Sequence, residues 1–156
     1  MGNRSSTVAF AAAYIVLVLG LFLALGGAAY AANSPSSASD QYGTKVAGVI
    51  GNNQSVIDTL RSASAATDEQ IWQLPLEKAY RKQLDSSVAD MRNIGGPPGG
   101  AITAALFLHE FVAEVPWAHL DIAGPMSVDG DDGWLSKGAT GFGARLLIEF
   151  ATNFVK

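Results

Sequence analysis

An α/β fold, helices layered with short strands, is what this sequence predicts, and three observations carry that expectation. Short β-like runs alternate with helical patterns along most of the chain, the pattern of layered helices and strands. The C-terminal stretch has a clear amphipathic helical period. Ser-rich and Gly/Pro-rich breaks punctuate the rest, so a chain of 156 residues has room for one modest core and not for two domains.

The elements follow in order. Val8 to Ala32 carries no charge and no strongly polar residue. As a helix it would rise about 37 Å, enough for the roughly 30 Å hydrocarbon layer of a bilayer. Residues 1–32 are therefore expected to form one hydrophobic N-terminal helix. It would be a membrane anchor through residues 8–32, with Arg4 marking the inner side, or an export signal with a small-residue exit at Ala29-Tyr30-Ala31. Either use makes the body membrane-anchored or exported. If the segment is a gene-model artefact, the body is cytoplasmic. Residues 33–43 are Ser-rich, lack an apolar period and read as a linker, leaving 44–156 as the body.

Within the body, Lys45 to Ile50 is β-like and is closed by Gly51-Asn52-Asn53. Val56, Ile57, Leu60 and Ala63 then mark one face of a helix, with Asp58 and Arg61 outward. Ile71 to Leu76 is extended, and Pro75 restricts it to a sheet edge. Glu77 to Leu84 reads as a short charged helix. Gly95 to Gly100 cannot be regular structure, and it opens into Ala101 to Val115, a helix apolar almost all round with a narrow stripe at Thr103, Glu110 and Glu114, so most of it should be buried. Trp117 to Ala123 fits a strand, and Asp129 to Gly133 a loop. The closing helix sets Arg145, Glu149, Thr152 and Lys156 against Leu147, Phe150, Ala151 and Phe154.

Charge and composition exclude several functions. The formal charge is −4, and Arg4 is the only charged side chain before Asp40, so the remainder is more acidic still. No basic cluster exists to attract phosphates, which argues against nucleic acid. With no cysteine there is no disulfide, thiolate metal site or cysteine nucleophile.

The candidate sites are incomplete. His109-Glu110 would need a second His one helical turn on to hold zinc, and position 113 is Ala. His119 and Asp121 share one strand face, the spacing for an oriented imidazole, or simply for a satisfied polar pair. Gly95 to Gly100 could present backbone N–H groups to an anion, yet it lacks the Lys-Ser/Thr of a P-loop and the spacing of a dinucleotide loop. Asp129, Asp131 and Asp132 miss the remaining ligands of a calcium loop.

Read together, the segments resemble the leucyl (cytosol) aminopeptidase family, at the C-terminal end of its catalytic domain. The resemblance rests on Thr44 to Asn52, Trp72 to Leu76, Tyr80 to Ser86, Ala89 to Gly96, Gly100 to Leu108, Trp117 to Gly124 and Lys137 to Gly141, in order, over 44–156. It implies a mixed sheet sandwiched by helices, and exopeptidases that use two divalent metals, zinc or manganese, usually as hexamers. It also implies that the family's metal-binding Lys and Asp residues and its Asp-Ala-Glu-Gly-Arg segment lie upstream of the matching stretch. No catalytic residue, metal ligand or cofactor is then expected in 44–156. Ile94, Ala123 and Met126 are implied as part of the pocket for a substrate's first side chain. His119 and Asp121 fall where the family has no metal ligand, and Pro97 departs from a position that is often basic. The expected partners are peptides or full-length aminopeptidase subunits. Inactivity alone, a membrane-tethered binding or oligomerisation module, and a truncated gene product are the readings that follow.

Overall fold

The computed structural model describes residues 43–96 and 98–154. The apolar segment 8–32, nearly all of the linker, Pro97 and Lys156 lie outside the described residues. Among the described residues, no helix is long and apolar enough to cross a membrane.

Strand β1 (Ala47–Gly51) is central in a three-stranded sheet, pairing in parallel with β2 (Ile71–Gln73) and antiparallel with β3 (Ala118–Asp121). The mixed sheet implied by the family resemblance is therefore present. Between β1 and β2 runs helix α1 (Gln54–Thr67), begun by Asn53, whose side chain accepts from the Val56 N–H at 3.1 Å, and ended at Asp68 in a left-handed conformation (φ 57°). Its buried residues are Val56, Ile57, Leu60 and Ala63, the face its periodicity marks. Burying each of the three larger side chains stabilises by about 1.5–3 kcal/mol. Pro75 keeps the following strand short: β2 stops at Gln73 and lies at a sheet edge.

The charged helix expected at 77–84 is a 3₁₀ helix over Lys78–Leu84, capped by Glu77, whose carboxylate accepts from the Ala79 N–H at 2.9 Å. Helix α2 (Gly100–His109) ends six residues before the apolar run suggests. Beyond it Phe111, Val112 and Val115 bond three residues back, and Ala113 is left-handed at φ 48°. Pro116 excludes continuation past Val115 but acts too far along to set the stop at His109, for which the structure offers no single residue. The expected polar stripe also changes. Thr103 is 2% exposed, packed against Gly95 with its hydroxyl donating to Gly100 O at 3.1 Å, whereas Phe111 is 59% exposed and Val115 45%.

After β3 come the two short antiparallel strands β4 (Ser127–Val128) and β5 (Gly138–Ala139), then α3 (Ala144–Phe154). The buried residues of α3 are Leu146 and Phe150, with Leu147 half-buried and Ala151 exposed, so its apolar face is rotated from the expected one.

Alternate residues of the sheet serve two cores. Val49, Ala118 and Leu120 face α1 and α3, joining Leu60, Leu146 and Phe150. Ile50 and Trp117 face the other way, joining Ala101, Ala105 and Val112 around α2. Helices thus cover both faces of the sheet.

Candidate functional site

The chemistry-bearing residues gather on the α2 side, at the ends of β1 and β3. Gly51 and Asn52 close β1 by gripping the segment that leads into β3. The Trp117 N–H donates to Asn52 Oδ1 at 2.8 Å, Asn52 Nδ2 donates to Val115 O at 2.9 Å, and Asn52 N–H donates to Trp117 O at 3.1 Å. Gly51 must be glycine for this approach: a Cβ there would lie 2.5 Å from Trp117 O. Sequence reading took these residues as a turn and missed the clamp, because its partners lie more than sixty positions away.

The clamp fixes Trp117, 2% exposed, between two imidazoles. His119 lies parallel to it at 6.3 Å between ring centroids, and His109 meets it edge-on at 5.9 Å. Burial pushes the His119 imidazole below its ordinary pKa, against a smaller opposing pull from the Asp121 carboxylate. Asp121 also accepts from the Ala123 N–H at 3.1 Å, starting a turn in which Met126 N–H donates to Ile122 O at 3.0 Å. Thr140 secures that turn: its N–H donates to Met126 O at 3.0 Å, and its hydroxyl donates to Pro125 O. Ala123 and Met126, both half-buried, therefore occupy one braced turn just beyond β3.

Ile94 is held separately. It is 40% exposed on the loop between the 3₁₀ helix and α2, beside Gly95, where a Cβ would come within 2.8 Å of the Thr103 side chain. Gly96 N–H donates to Gln83 Oε1 at 2.9 Å, which commits part of the glycine-rich loop to structure.

The other candidates also have structural partners. Glu110 pairs with Arg81 at 2.6 Å, which holds the guanidinium more firmly protonated. Asp131 accepts from the Lys137 N–H at 2.9 Å, and Asp132 pairs with Lys45 at 2.9 Å with both side chains exposed. One acidic residue escaped notice in the sequence. Glu69, 4% exposed, accepts from Leu146 N–H at 2.8 Å in the first turn of α3 and lies 3.4 Å from Arg145 Nε.

The family profile described as the cytosol aminopeptidase family, catalytic domain, matches residues 35–148. The chain belongs to the cytosol aminopeptidase family. Among curated members of that family, it is 49% identical over 108 residues to the "Probable cytosol aminopeptidase" of Synechococcus sp. (strain JA-3-3Ab), covering 69% of this chain and 21% of that protein. It is 48% identical over 108 residues to that of Nostoc punctiforme (strain ATCC 29133 / PCC 73102), covering 69% and 22%. Two solved structures share its fold. A mutant tomato leucine aminopeptidase matches with a TM-score of 0.67 at 40% identity, over 74% of this chain and 22% of that one. The bottromycin maturation enzyme BotP in complex with Mn matches with a TM-score of 0.73 at 38% identity, over 79% and 27%. The chain thus spans about a fifth of the length of the curated cytosol aminopeptidases it matches.

The described residues do not fit a metal centre of the kind the cytosol aminopeptidase family is expected to use. Among them no group of three or more His, Asp or Glu side chains is placed to hold an ion. A hydrolytic metal needs several fixed donors. Here Glu69, Glu110, Asp121 and Asp131 each engage a protein N–H or guanidinium group.

Proposed function

We propose that this body is the scaffold and substrate-side part of an aminopeptidase catalytic domain, and that it does not hydrolyse peptides by itself. The reading is carried by one observation: a chain matched over 35–148 to that catalytic domain brings together no set of metal donors among its described residues. In such hydrolysis bound metal ions would supply a polarised carbonyl and an activated water, which needs several fixed donor side chains. Those ligands must come from polypeptide other than the described body.

In this reading the contribution of the body is shape. Ala123 and Met126, braced by Thr140, and Ile94, on the loop leading into α2, form part of the wall that receives the side chain of a peptide's first residue. His119 and Asp121 act as positioning residues for the braced turn, since Asp121 holds the Ala123 N–H.

The test is hydrolysis of leucyl-p-nitroanilide by the purified full chain with added Mn²⁺. No turnover above the metal blank is expected. Turnover abolished by a chelator would overturn the reading. Tethering through residues 8–32 belongs to the same proposal, and release of the intact chain from membranes by sodium carbonate would exclude an anchor.

A further inference from the structure

We infer that Asp129-Gly130, in the loop between β4 and β5, is a site of spontaneous covalent modification, at which Asp129 converts to isoaspartate through a cyclic imide. The fold withholds the same reaction from Asp132-Gly133. Neither statement depends on a peptidase role; both depend on how this loop holds its carboxylates.

The chemistry is internal to the chain. The Gly130 backbone nitrogen attacks the side-chain carboxyl carbon of Asp129. A C–N bond forms, a C–O bond breaks, and the hydroxyl leaves with the amide proton as water. The resulting imide ring then takes up water again. Opening at the side-chain carbonyl restores Asp129, whereas opening at the main-chain carbonyl leaves the backbone running through the former side chain. No oxidant, metal or second substrate is needed. Glycine favours the step because it has no Cβ to crowd the attacking nitrogen and lets the backbone turn freely.

The sequence has two Asp-Gly steps, both in this loop, and the structure separates them. Asp129 is exposed, and neither its carboxylate nor the Gly130 N–H has a hydrogen-bond or ion-pair partner among the described residues. A Cβ on Gly130 would meet nothing within 4 Å, so the ring has room to close. Asp132 is tied down instead. Its carboxylate pairs with Lys45 at 2.9 Å, its N–H donates to Leu135 O at 3.0 Å, and its carbonyl accepts from the Leu135 N–H at 3.0 Å. The Arg145 guanidinium sits over Trp134 of the same turn, 4.9 Å from the ring centroid. Closing an imide at Asp132 would break the ion pair and distort that turn. Asp131 accepts from the Lys137 N–H, and the residue after it is Asp132, whose Cβ crowds the nitrogen that would attack. The product at Asp129 keeps its mass and charge but adds one backbone carbon just past Val128, where the β4–β5 ladder ends.

The experiment ages the purified full chain in warm neutral buffer and maps its peptides by mass spectrometry, with electron-transfer fragmentation to separate isoaspartate from aspartate. Isoaspartate should accumulate at Asp129 several-fold faster than at Asp132, and the two rates should converge in urea. Gly130→Ala, which the open space around Gly130 accommodates, should remove most of the signal at Asp129. Lys45→Ala should raise the rate at Asp132 by about two- to fivefold, the range that an exposed ion pair supports. Both variants should keep the circular dichroism of the parent, so that the rates are read on folded chains. Equal rates in the folded chain, faster conversion at Asp132, or a difference that persists in urea would overturn the inference. So would an Asp129 rate indifferent to Gly130→Ala, or an Asp132 rate indifferent to Lys45→Ala.

Discussion

His119 is the side chain whose environment most changes its chemistry. Burial lowers its pKa in the folded chain below the unfolded value of about 6.5, so the unfolded chain binds more protons as pH falls. The stability this neutral imidazole secures is fully present above about pH 6.5 and is lost as pH falls toward the folded pKa, with a slope of at most about 1.4 kcal/mol per pH unit. Urea midpoints measured from pH 7.5 to 5 should fall, and His119→Gln should flatten that fall. Glu69 gives a second prediction at this scale. Glu69→Ala strands the Leu146 N–H and removes a carboxylate from the start of α3, at a cost of about 1–3 kcal/mol. Gly51→Ala drives a methyl group against Trp117 O, and about 1–3 kcal/mol of overpacking should appear as a lower urea midpoint. Sequence reading missed Glu69 because Asp68-Glu69 after a helix looks like a solvated charge pair. Only the fold shows that Leu146, 77 residues later, turns its N–H toward it from the first turn of a helix.

At the scale of elements, legibility tracked amphipathicity. Helix α1 could be read from the sequence because Val56, Ile57, Leu60 and Ala63 against Asp58 and Arg61 define a phase. Helix α2 is apolar all round, so its pattern has neither phase nor end, and the expected helix ran on to Val115 past the observed stop at His109. Thr103 was misplaced for the same reason: its burial is dictated by Gly95 on another loop, which no local pattern encodes. The segment beyond the stop is strained, since Ala113 is held left-handed at φ 48°. That conformation costs a residue with a Cβ about 1–2 kcal/mol, partly offset in glycine by greater unfolded-chain entropy. Ala113→Gly should therefore raise stability by up to about 1 kcal/mol in thermal or urea unfolding.

For the whole molecule, the layered α/β class, the mixed sheet and the aminopeptidase family were all legible, because ordered segments over 44–156 jointly specify them. The grouping of Ala123 with Met126 on one turn was not, since Thr140 supplies the bracing from a distant strand end. Stability should be uneven. Residues 85–96, mostly exposed and without regular structure, should exchange amide hydrogens first, and α1, β1 and α3 last, in native-state hydrogen exchange. Leu146→Ala, at a fully buried position joining α3 to α1, should remove about 2–5 kcal/mol. The aromatic stack has a practical consequence as well. Of the three tryptophans, Trp72 and Trp134 are 68% and 73% exposed, whereas Trp117 is enclosed between His109 and His119. The blue-edge emission of the protein should therefore come from Trp117, and protonation of the adjacent His119 should quench that light. The molecule carries a built-in optical gauge, which dims on acidification and shifts to the red when the sheet comes apart.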